Sequence, residues 1–472
     1  MPCYGDVMQI PTHVFREYDI RGVADVDLGD ELVTAIGRAL ATELRESKDV
    51  PSEARLRIAV ARDCRTSSPR LHAALTRGLL SSGADVIDVG VGPTPMLYFA
   101  AHHLATDGAV MITGSHNPGE DNGFKLMRGT AALFGDAVRG LRDRIERSAF
   151  IDAPGGEVTE RDVQDAYIEA VASRCRLGRA PSSLRVVVDA GNGAAGPLAL
   201  KVLDAVGVPV DPMFCEMDGT FPNHHPDPTV EENLDALRQR VLEVKAHLGI
   251  AFDGDGDRIG VVDEEGSVIW GDKLMVLFSR SVLAENPGAA VLGEVKCSQT
   301  LFDDIAARGG RPIVSKTGHS LIKKRMKEEG ALLAGEMSGH IFFADRYYGY
   351  DDATYAALRL LEIVVNSGKT PRELLADLPV TAVTPELRVS CPDHIKFEVV
   401  SRVTAHFKRK HEVLDIDGAR ILFGDGAWGL CRASNTGPVL VLRFEAASPA
   451  RLEAVRAEVE AVVASAVAEL DA

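Results

Sequence analysis

Apolar residues in this chain come in short, nearly continuous runs, each followed by a polar turn and then a stretch with helical spacing. LRIAVARDCRTSSP (56–69) leads into LHAALTRGLLSSG and a second run, ADVIDVGVGPTP. LRVVVDAGNGAAGP (184–197) opens the same way, continues through LALKVLDAVG and returns with VPVDPMFCEMDG. A third copy begins AAVLGEVKCSQT (289–300), passes through LFDDIAARGG and ends in RPIVSKTGHS. Strand, loop, helix, strand predicts a parallel crossover each time, and repetition at about 105–130 residues predicts three related α/β domains. The unbroken apolar runs are those of strands covered on both faces. After LLADLPVTAV the repeat stops. HIKFEVVSRVTAHFKRK, a strand-like ARILFGDGAWGLCRAS, a second strand PVLVLRFEA and the helical SPARLEAVRAEVEAVVASAVAEL predict a smaller α+β domain. The expected divisions are 1–160, 161–266, 267–377 and 378–472.

With 46% apolar and 26% charged residues in 472, the chain can bury large cores. Its formal charge of −17 argues against nucleic acid or an anionic membrane surface as a partner. An anionic substrate would have to be drawn in by local lysines and arginines. The seven cysteines are scattered and lack paired or metal-ligand spacing, which suits a reducing compartment. The N-terminal stretch lacks a basic start followed by an apolar core, and no apolar run approaches the ~18–20 residues that span a bilayer. A cytoplasmic protein is expected.

Against that background the run AFDGDGDRIG (251–260) stands out. It sets Asp253, Asp255 and Asp257 at alternate positions after the strand-like LGIAF. Three carboxylates so close repel one another unless they share a hard cation. Arg258 follows, a guanidinium fork suited to phosphate. A divalent metal beside an arginine is equipment for phosphoryl transfer.

Three further loops carry chemistry. In AVMITGSHNPGEDNGFK (109–125) an apolar strand ends in a tight turn, so Ser115 is expected exposed at a strand's C-terminal end, where open α/β sheets place their sites. A serine there can carry a phosphate covalently, with Lys125 as a nearby cation or proton relay. In GEMSGH (335–340), Glu336, Ser338 and His340 alternate, and an extended loop would point all three the same way, a grip for sugar hydroxyls. In CRASNTGP (431–438), Arg432, Ser434, Asn435 and Thr436 could form an anion nest around a phosphate that is bound but not cleaved. Weaker signals are YDIRG (18–22), with Tyr18 and with Arg21 after a strand, and Lys296 and His319, each after an apolar strand of the third repeat.

Taken together these motifs resemble the α-D-phosphohexomutase superfamily, most closely its phosphomannomutase/phosphoglucomutase branch. TGSHNP resembles its phosphoserine loop, DGDGDR its metal loop, GEMSGH its sugar loop and RASNTGP its phosphate loop, in the family's order across essentially the whole chain. The resemblance implies three related α/β domains, mixed sheets sandwiched by helices, and a TATA-binding-protein-like C-terminal domain around a central cleft. It implies that phosphorylated Ser115 exchanges its phosphate with a hexose monophosphate through a bound hexose 1,6-bisphosphate, which also serves as activator in the form of glucose 1,6-bisphosphate. Mg²⁺ would lie between Ser115 and Asp253, Asp255 and Asp257. Arg258 and Lys125 would assist at the transferring phosphoryl, Lys125 or His340 would carry the proton, and Arg21 would belong to the same catalytic region. Glu336, Ser338 and His340 would hold the sugar. Lys296, His319, Arg432, Ser434, Asn435 and Thr436 would hold the other phosphate, with Tyr18 also touching substrate. The partners implied are sugar phosphates, of mannose, glucose or both, and the protein would be a monomer or weak homo-oligomer.

Two rival classes use part of the same equipment. A metal-dependent phosphatase shares the aspartates and arginine but needs no second phosphate grip. A Ca²⁺-binding EF-hand would match Asp253, Asp255, Asp257 and Glu264, but Arg258 stands where that loop requires glycine and the flanks read as strands.

Overall fold

Each of the three repeats forms the parallel crossover its pattern predicts. Strand Leu56–Arg62 pairs in parallel with Ala84–Val91 across helix Ser68–Ser81, Val186–Asp189 with Val210–Met213 across Gly196–Ala205, and Ala290–Glu294 with Arg311–Ser315 across Gln299–Ala307. The first two sheets are mixed, because antiparallel strands join their edges. In the first, Asp121–Arg128 runs antiparallel to Gly108–Ile112 and is followed at the edge by Ile20–Val23. In the second, Leu248–Phe252 pairs in parallel with Val186–Asp189 and antiparallel with Ile259–Asp263. The third repeat adds Leu333–Gly335 parallel to Ala290–Glu294.

This computed structural model describes residues 10–47, 55–153, 155–178, 180–181, 183–434 and 437–471. Asn435 and Thr436, expected in the phosphate nest, lie outside the described residues. The chain divides into two compact units. The first comprises Met1–Ile269, Ser338–Phe342 and Arg346–Arg372, and the second Trp270–Met337, Phe343–Asp345 and Glu373–Ala472.

The C-terminal α+β pattern becomes a six-stranded antiparallel sheet, with helices Lys396–Phe407 and Pro449–Leu470 burying Val399, Val403, Val455 and Val459 in its core. Here the sequence reading needs correction. ARILFGDGAWGLCRAS is not one strand but a hairpin, Ala419–Gly424 and Ala427–Ala433. Asp425 and Gly426 both take positive φ, +48° and +77°, the two-residue turn whose twist matches antiparallel strands. Arg21 likewise lies within the strand Ile20–Val23 rather than after it. No helix among the described residues is long and apolar enough to cross a membrane.

Candidate functional site

In the first unit, the end of strand Gly108–Ile112 delivers the turn that carries Ser115. The strand-end position is as expected, but the exposure is not: Ser115 is only 3% exposed. Its backbone holds φ +50°, a left-handed conformation that costs a non-glycine residue about 1–3 kcal/mol and persists only where surroundings enforce it. Arg65 does most of that enforcing. Its buried guanidinium donates to the carbonyls of Ser115 (2.8 Å), Asn117 (2.6 Å), Asp121 (2.9 Å) and Pro118. Asp63 accepts from the Gly114 N–H at 3.2 Å and the Arg65 N–H at 3.0 Å. From the neighbouring edge strand Arg21 donates to the Gly114 carbonyl (3.2 Å), Asn117 Oδ1 (2.8 Å) and Asp19 (2.6 Å).

The strand Leu248–Phe252 ends in the aspartate loop, which approaches so closely that a Cβ on Gly254 would sit 2.4 Å from the Ser115 carbonyl oxygen. Ser115 Oγ donates to Asp253 Oδ2 at 3.0 Å and lies 3.1 Å from His116 Nδ1. The other oxygen of Asp253 accepts from the Asp257 and Arg258 N–H groups at 3.0 and 3.1 Å, which folds the loop around its first carboxylate. Lys125, reaching in from Asp121–Arg128, donates to Asp255 (2.6 Å) and Asp257. Thr94 Oγ1 donates to Asp255 at 2.5 Å. Burial opposes charge on Lys125, yet Asp255 and Asp257 outweigh it and hold the amine well above its ordinary range. Asp255 is held below the usual carboxylate range, Lys125 and Thr94 overcoming the effect of burial. Burial, then Asp257 and Asp255, push Asp253 well upward. Loss of water around its ring, then Arg258 and Arg21, push His116 well below its ordinary value and keep it neutral.

Oxygens of Asp253, Asp255 and Asp257 lie within 4.8 Å of one another, all fully buried. Asp255 Oδ1 and Asp257 Oδ1 accept no hydrogen bond among the described residues. Buried carboxylate oxygens left in this way cost free energy unless something cationic meets them, so this donor set fits a hard divalent ion.

His340 joins this group. Its Nε2 accepts from Arg258 Nε at 2.9 Å, and its Nδ1 faces Asp351 Oδ2 at 3.0 Å and Asp257 Oδ1 at 3.5 Å. The Gly339 carbonyl accepts from the Ile259 N–H at 3.1 Å. The segment 336–340 is therefore a turn with Gly339 at φ +91°, not the extended loop expected, and strict alternation of its side chains fails. Ser338 is half-buried within it, and Tyr18 is half-buried two residues before the strand that carries Arg21.

In the second unit, buried Glu294 ties three loops together. Its carboxylate accepts from the Lys296 N–H (2.8 Å), Thr317 Oγ1 (2.9 Å) and the Met337 N–H (3.3 Å). Glu336 accepts from the Gly318 N–H at 2.9 Å. Asp417 receives the Thr317 N–H (3.0 Å) and Arg432 Nε (3.1 Å), and Lys296 Nζ donates to Glu386 at 3.3 Å. Burial works against the Lys296 charge, but Glu294 and Glu386 raise its pKa above the ordinary value. His319 opens helix His319–Glu329 beside Thr317 and Gly318. Ser434, buried, donates its backbone N–H to the Val439 carbonyl at 3.0 Å at the end of the hairpin.

The sequence reading passed over Arg65, Asp351, Thr94, Glu294 and Asp417. Arg65 follows a strand in DCRTSSP, and Asp351 follows three tyrosines in YYGYDD. Those strand-end and aromatic settings are the only local signals either offers.

Four family models match along the chain, described as phosphoglucomutase/phosphomannomutase α/β/α domain I (residues 12–152), domain II (165–266), domain III (270–381) and C-terminal domain (386–462). A phosphomannomutase/phosphoglucomutase of Pseudomonas putida is 44% identical over 448 residues, 95% of this chain and 94% of that one. A phosphoglucomutase of Neisseria gonorrhoeae is 44% identical over 460 residues, 97% of this chain and 98% of its own. Among solved structures, a phosphoglucomutase/phosphomannomutase family protein of Burkholderia thailandensis superimposes with a TM-score of 0.90 at 42% identity, covering 97% of this chain and 98% of its own. An Aspergillus fumigatus N-acetylphosphoglucosamine mutase, solved with GlcNAc-6P and magnesium, shares the fold at a TM-score of 0.66 and 16% identity, covering 98% of this chain and 97% of its own. The chain belongs to the phosphoglucomutase/phosphomannomutase family of the α-D-phosphohexomutase superfamily.

Proposed function

We propose that this protein interconverts hexose 1-phosphate and hexose 6-phosphate, of mannose, glucose or both, by way of a phosphoserine at Ser115 and a bound hexose 1,6-bisphosphate. The observation that carries the reading is the strained, buried Ser115 with its Oγ 3.0 Å from Asp253 in a three-carboxylate cluster. Relatives 44% identical over nearly the whole chain are named as mutases of these sugars, which supports the same reaction class.

In the forward half-reaction a sugar hydroxyl attacks the phosphorus on Ser115. The new O–P bond forms as the P–Oγ bond breaks, the hydroxyl proton passes to a base, and Oγ takes up a proton. The second half-reaction runs this backwards with the other phosphate of the bisphosphate. His340 suits the base. Lys125, held protonated, suits the donor of a proton to Oγ and the neutralisation of charge. Asp253, Asp255 and Asp257, with a Ser115 phosphate oxygen, would hold Mg²⁺, on which the family depends; when bound, it supplies charge stabilisation to the transferring phosphoryl. Arg258 and Arg21 assist there, Arg21 chiefly by holding the turn. Glu336, Ser338 and His340 take sugar hydroxyls, and Lys296, His319, Arg432 and Ser434 take the phosphate not in transfer, with Asn435, Thr436 and Tyr18 as further contacts. Glucose 1,6-bisphosphate is the activator of this scheme. The setting is the cytoplasm, as a monomer or weak homo-oligomer acting on free sugar phosphates.

A coupled assay comparing mannose 1-phosphate, glucose 1-phosphate and glucosamine 1-phosphate, primed with glucose 1,6-bisphosphate, tests the reading. Isomerisation of the first two, lost in Ser115→Ala, is expected. Release of inorganic phosphate without isomerisation would place the protein among phosphatases instead.

A further inference from the structure

We propose that Asp351 is a positioning residue which, with Arg258, fixes His340 in a single tautomer and makes Nε2 its acceptor nitrogen. This rests on the mutase reading for its consequence in turnover, but not for the geometry itself. An arginine Nε carries its proton at any working pH, so it can only donate. The atom that receives it at 2.9 Å, His340 Nε2, must present a lone pair. In a neutral ring the proton then sits on Nδ1. The other side of the ring gives the same answer independently. Nδ1 lies beside two carboxylates, Asp351 Oδ2 at 3.0 Å and Asp257 Oδ1 at 3.5 Å. Asp351 is the nearer, and its negative charge rather than a formed hydrogen bond favours the proton there, since neither Nδ1 nor Asp351 Oδ2 makes a hydrogen bond among the described residues.

Asp351 is itself set in a rigid frame. It is fully buried and bridges to Phe342, two residues beyond His340. Its neighbour Asp352 accepts from the Tyr167 hydroxyl (3.0 Å), the Tyr347 hydroxyl (2.7 Å) and the Tyr355 N–H (2.9 Å), capping helix Ala353–Ser367. The Ala353 N–H donates to the Gly256 carbonyl at 3.2 Å, which fastens this helix start to the aspartate loop. The carboxylate partner of His340 and the cluster beside Ser115 are thus parts of one hydrogen-bonded assembly.

The arrangement has a chemical consequence. While Arg258 donates to Nε2, the ring's one lone pair is engaged and cannot take a proton. An anionic phosphoryl group that draws the guanidinium away frees it, so occupancy by phosphate and readiness of the base are linked. Atoms of Asp257, His340 and Asp351 also lie close enough together to hold a cation. The tautomer argues against that use, because the nitrogen nearest both carboxylates is the one that bears hydrogen.

The test begins with the full-length protein labelled with ¹⁵N-histidine, the His340 signals being assigned by their loss in His340→Gln. Two-bond ¹H–¹⁵N spectra should show Nδ1 protonated and Nε2 bare; the reverse tautomer overturns the proposal whatever the activity. Asp351→Asn keeps size and an acceptor oxygen but removes the charge. Its kcat should fall about 100-fold or more, with KM within about twofold and the unfolding midpoint unchanged. An unchanged kcat, or a loss accompanied by a matching rise in KM, refutes the positioning role. Should the wild-type protein isomerise no sugar phosphate at all, the mutase reading fails while the tautomer result still decides the geometry.

Discussion

Replacing Arg65 by lysine keeps the positive charge beside Asp63 but removes the fork that grips the Ser115 turn. Four carbonyls, of Ser115, Asn117, Pro118 and Asp121, converge on one guanidinium that is buried at its side chain. A lysine presents three donors from a single point and cannot meet four acceptors spread along the turn. Loss of two such bonds, at about 1.5–3 kcal/mol each for a charged donor, gives a local penalty of about 3–6 kcal/mol before relaxation. That exceeds the roughly 1–3 kcal/mol by which the left-handed Ser115 is strained, so the turn should relax toward ordinary backbone geometry. Misplacement of a nucleophile by about 1 Å costs on the order of 100-fold in rate. Arg65→Lys should therefore lower kcat by about that factor and move the urea midpoint downward, with Ser115 phosphorylated more slowly by glucose 1,6-bisphosphate in intact-mass measurements. A variant with kcat within threefold of wild type and an unchanged midpoint would show that the clamp does not hold the serine.

Chelation with EDTA should abolish turnover, added Mg²⁺ should restore it, and Asp255→Asn should raise the Mg²⁺ needed for half-activity by about 10-fold or more; full activity in EDTA would remove the metal from the account. Burial lifts the Asp352 carboxyl from 3.8 to about 6. Because the raised group keeps its proton in the folded state after the unfolded chain has lost it, stability present below about pH 4 falls by about 3 kcal/mol as pH rises to about 6. Asp352→Asn lacks this titration, so its stability relative to wild type should improve by about that amount between pH 4 and 7 in urea melts; parallel pH curves would refute the assignment. Burial also pushes the Cys64 and Cys215 thiols up to about 12, so iodoacetamide at pH 7.5 should leave activity intact, and rapid inactivation would contradict their environments.

The sheets and the site loops were legible because their signals are local. A strand covered on both faces writes itself as an apolar run, and the turn after it carries the unusual residues. DGDGDR and TGSHNP are short enough that chain neighbours alone announce a metal and a nucleophile. Features built by contacts across the sequence were not legible. Arg65 reads as an ordinary polar-turn arginine until the carbonyls of 115–121 close on it. Asp351 gains meaning only when His340 arrives beside it. The burial of Ser115 likewise comes from the close approach of the aspartate loop, some 140 residues later in the chain. Local misreadings had local causes: Asp-Gly at 425–426 is a hairpin signal inside an otherwise apolar run, and the positive φ of Gly339 breaks the alternation assumed for 336–340.

The central claim is that Ser115 gives its phosphate to a sugar and takes one back. Protein carrying ³²P on Ser115, mixed in a single turnover with unlabelled glucose 1-phosphate, measures this directly. The account predicts that label leaves the protein and appears in glucose 1,6-bisphosphate and glucose 6-phosphate, with Ser115 phosphorylated again by unlabelled phosphate. Label that stays on the protein while isomerisation proceeds, or that appears as inorganic phosphate, would contradict it.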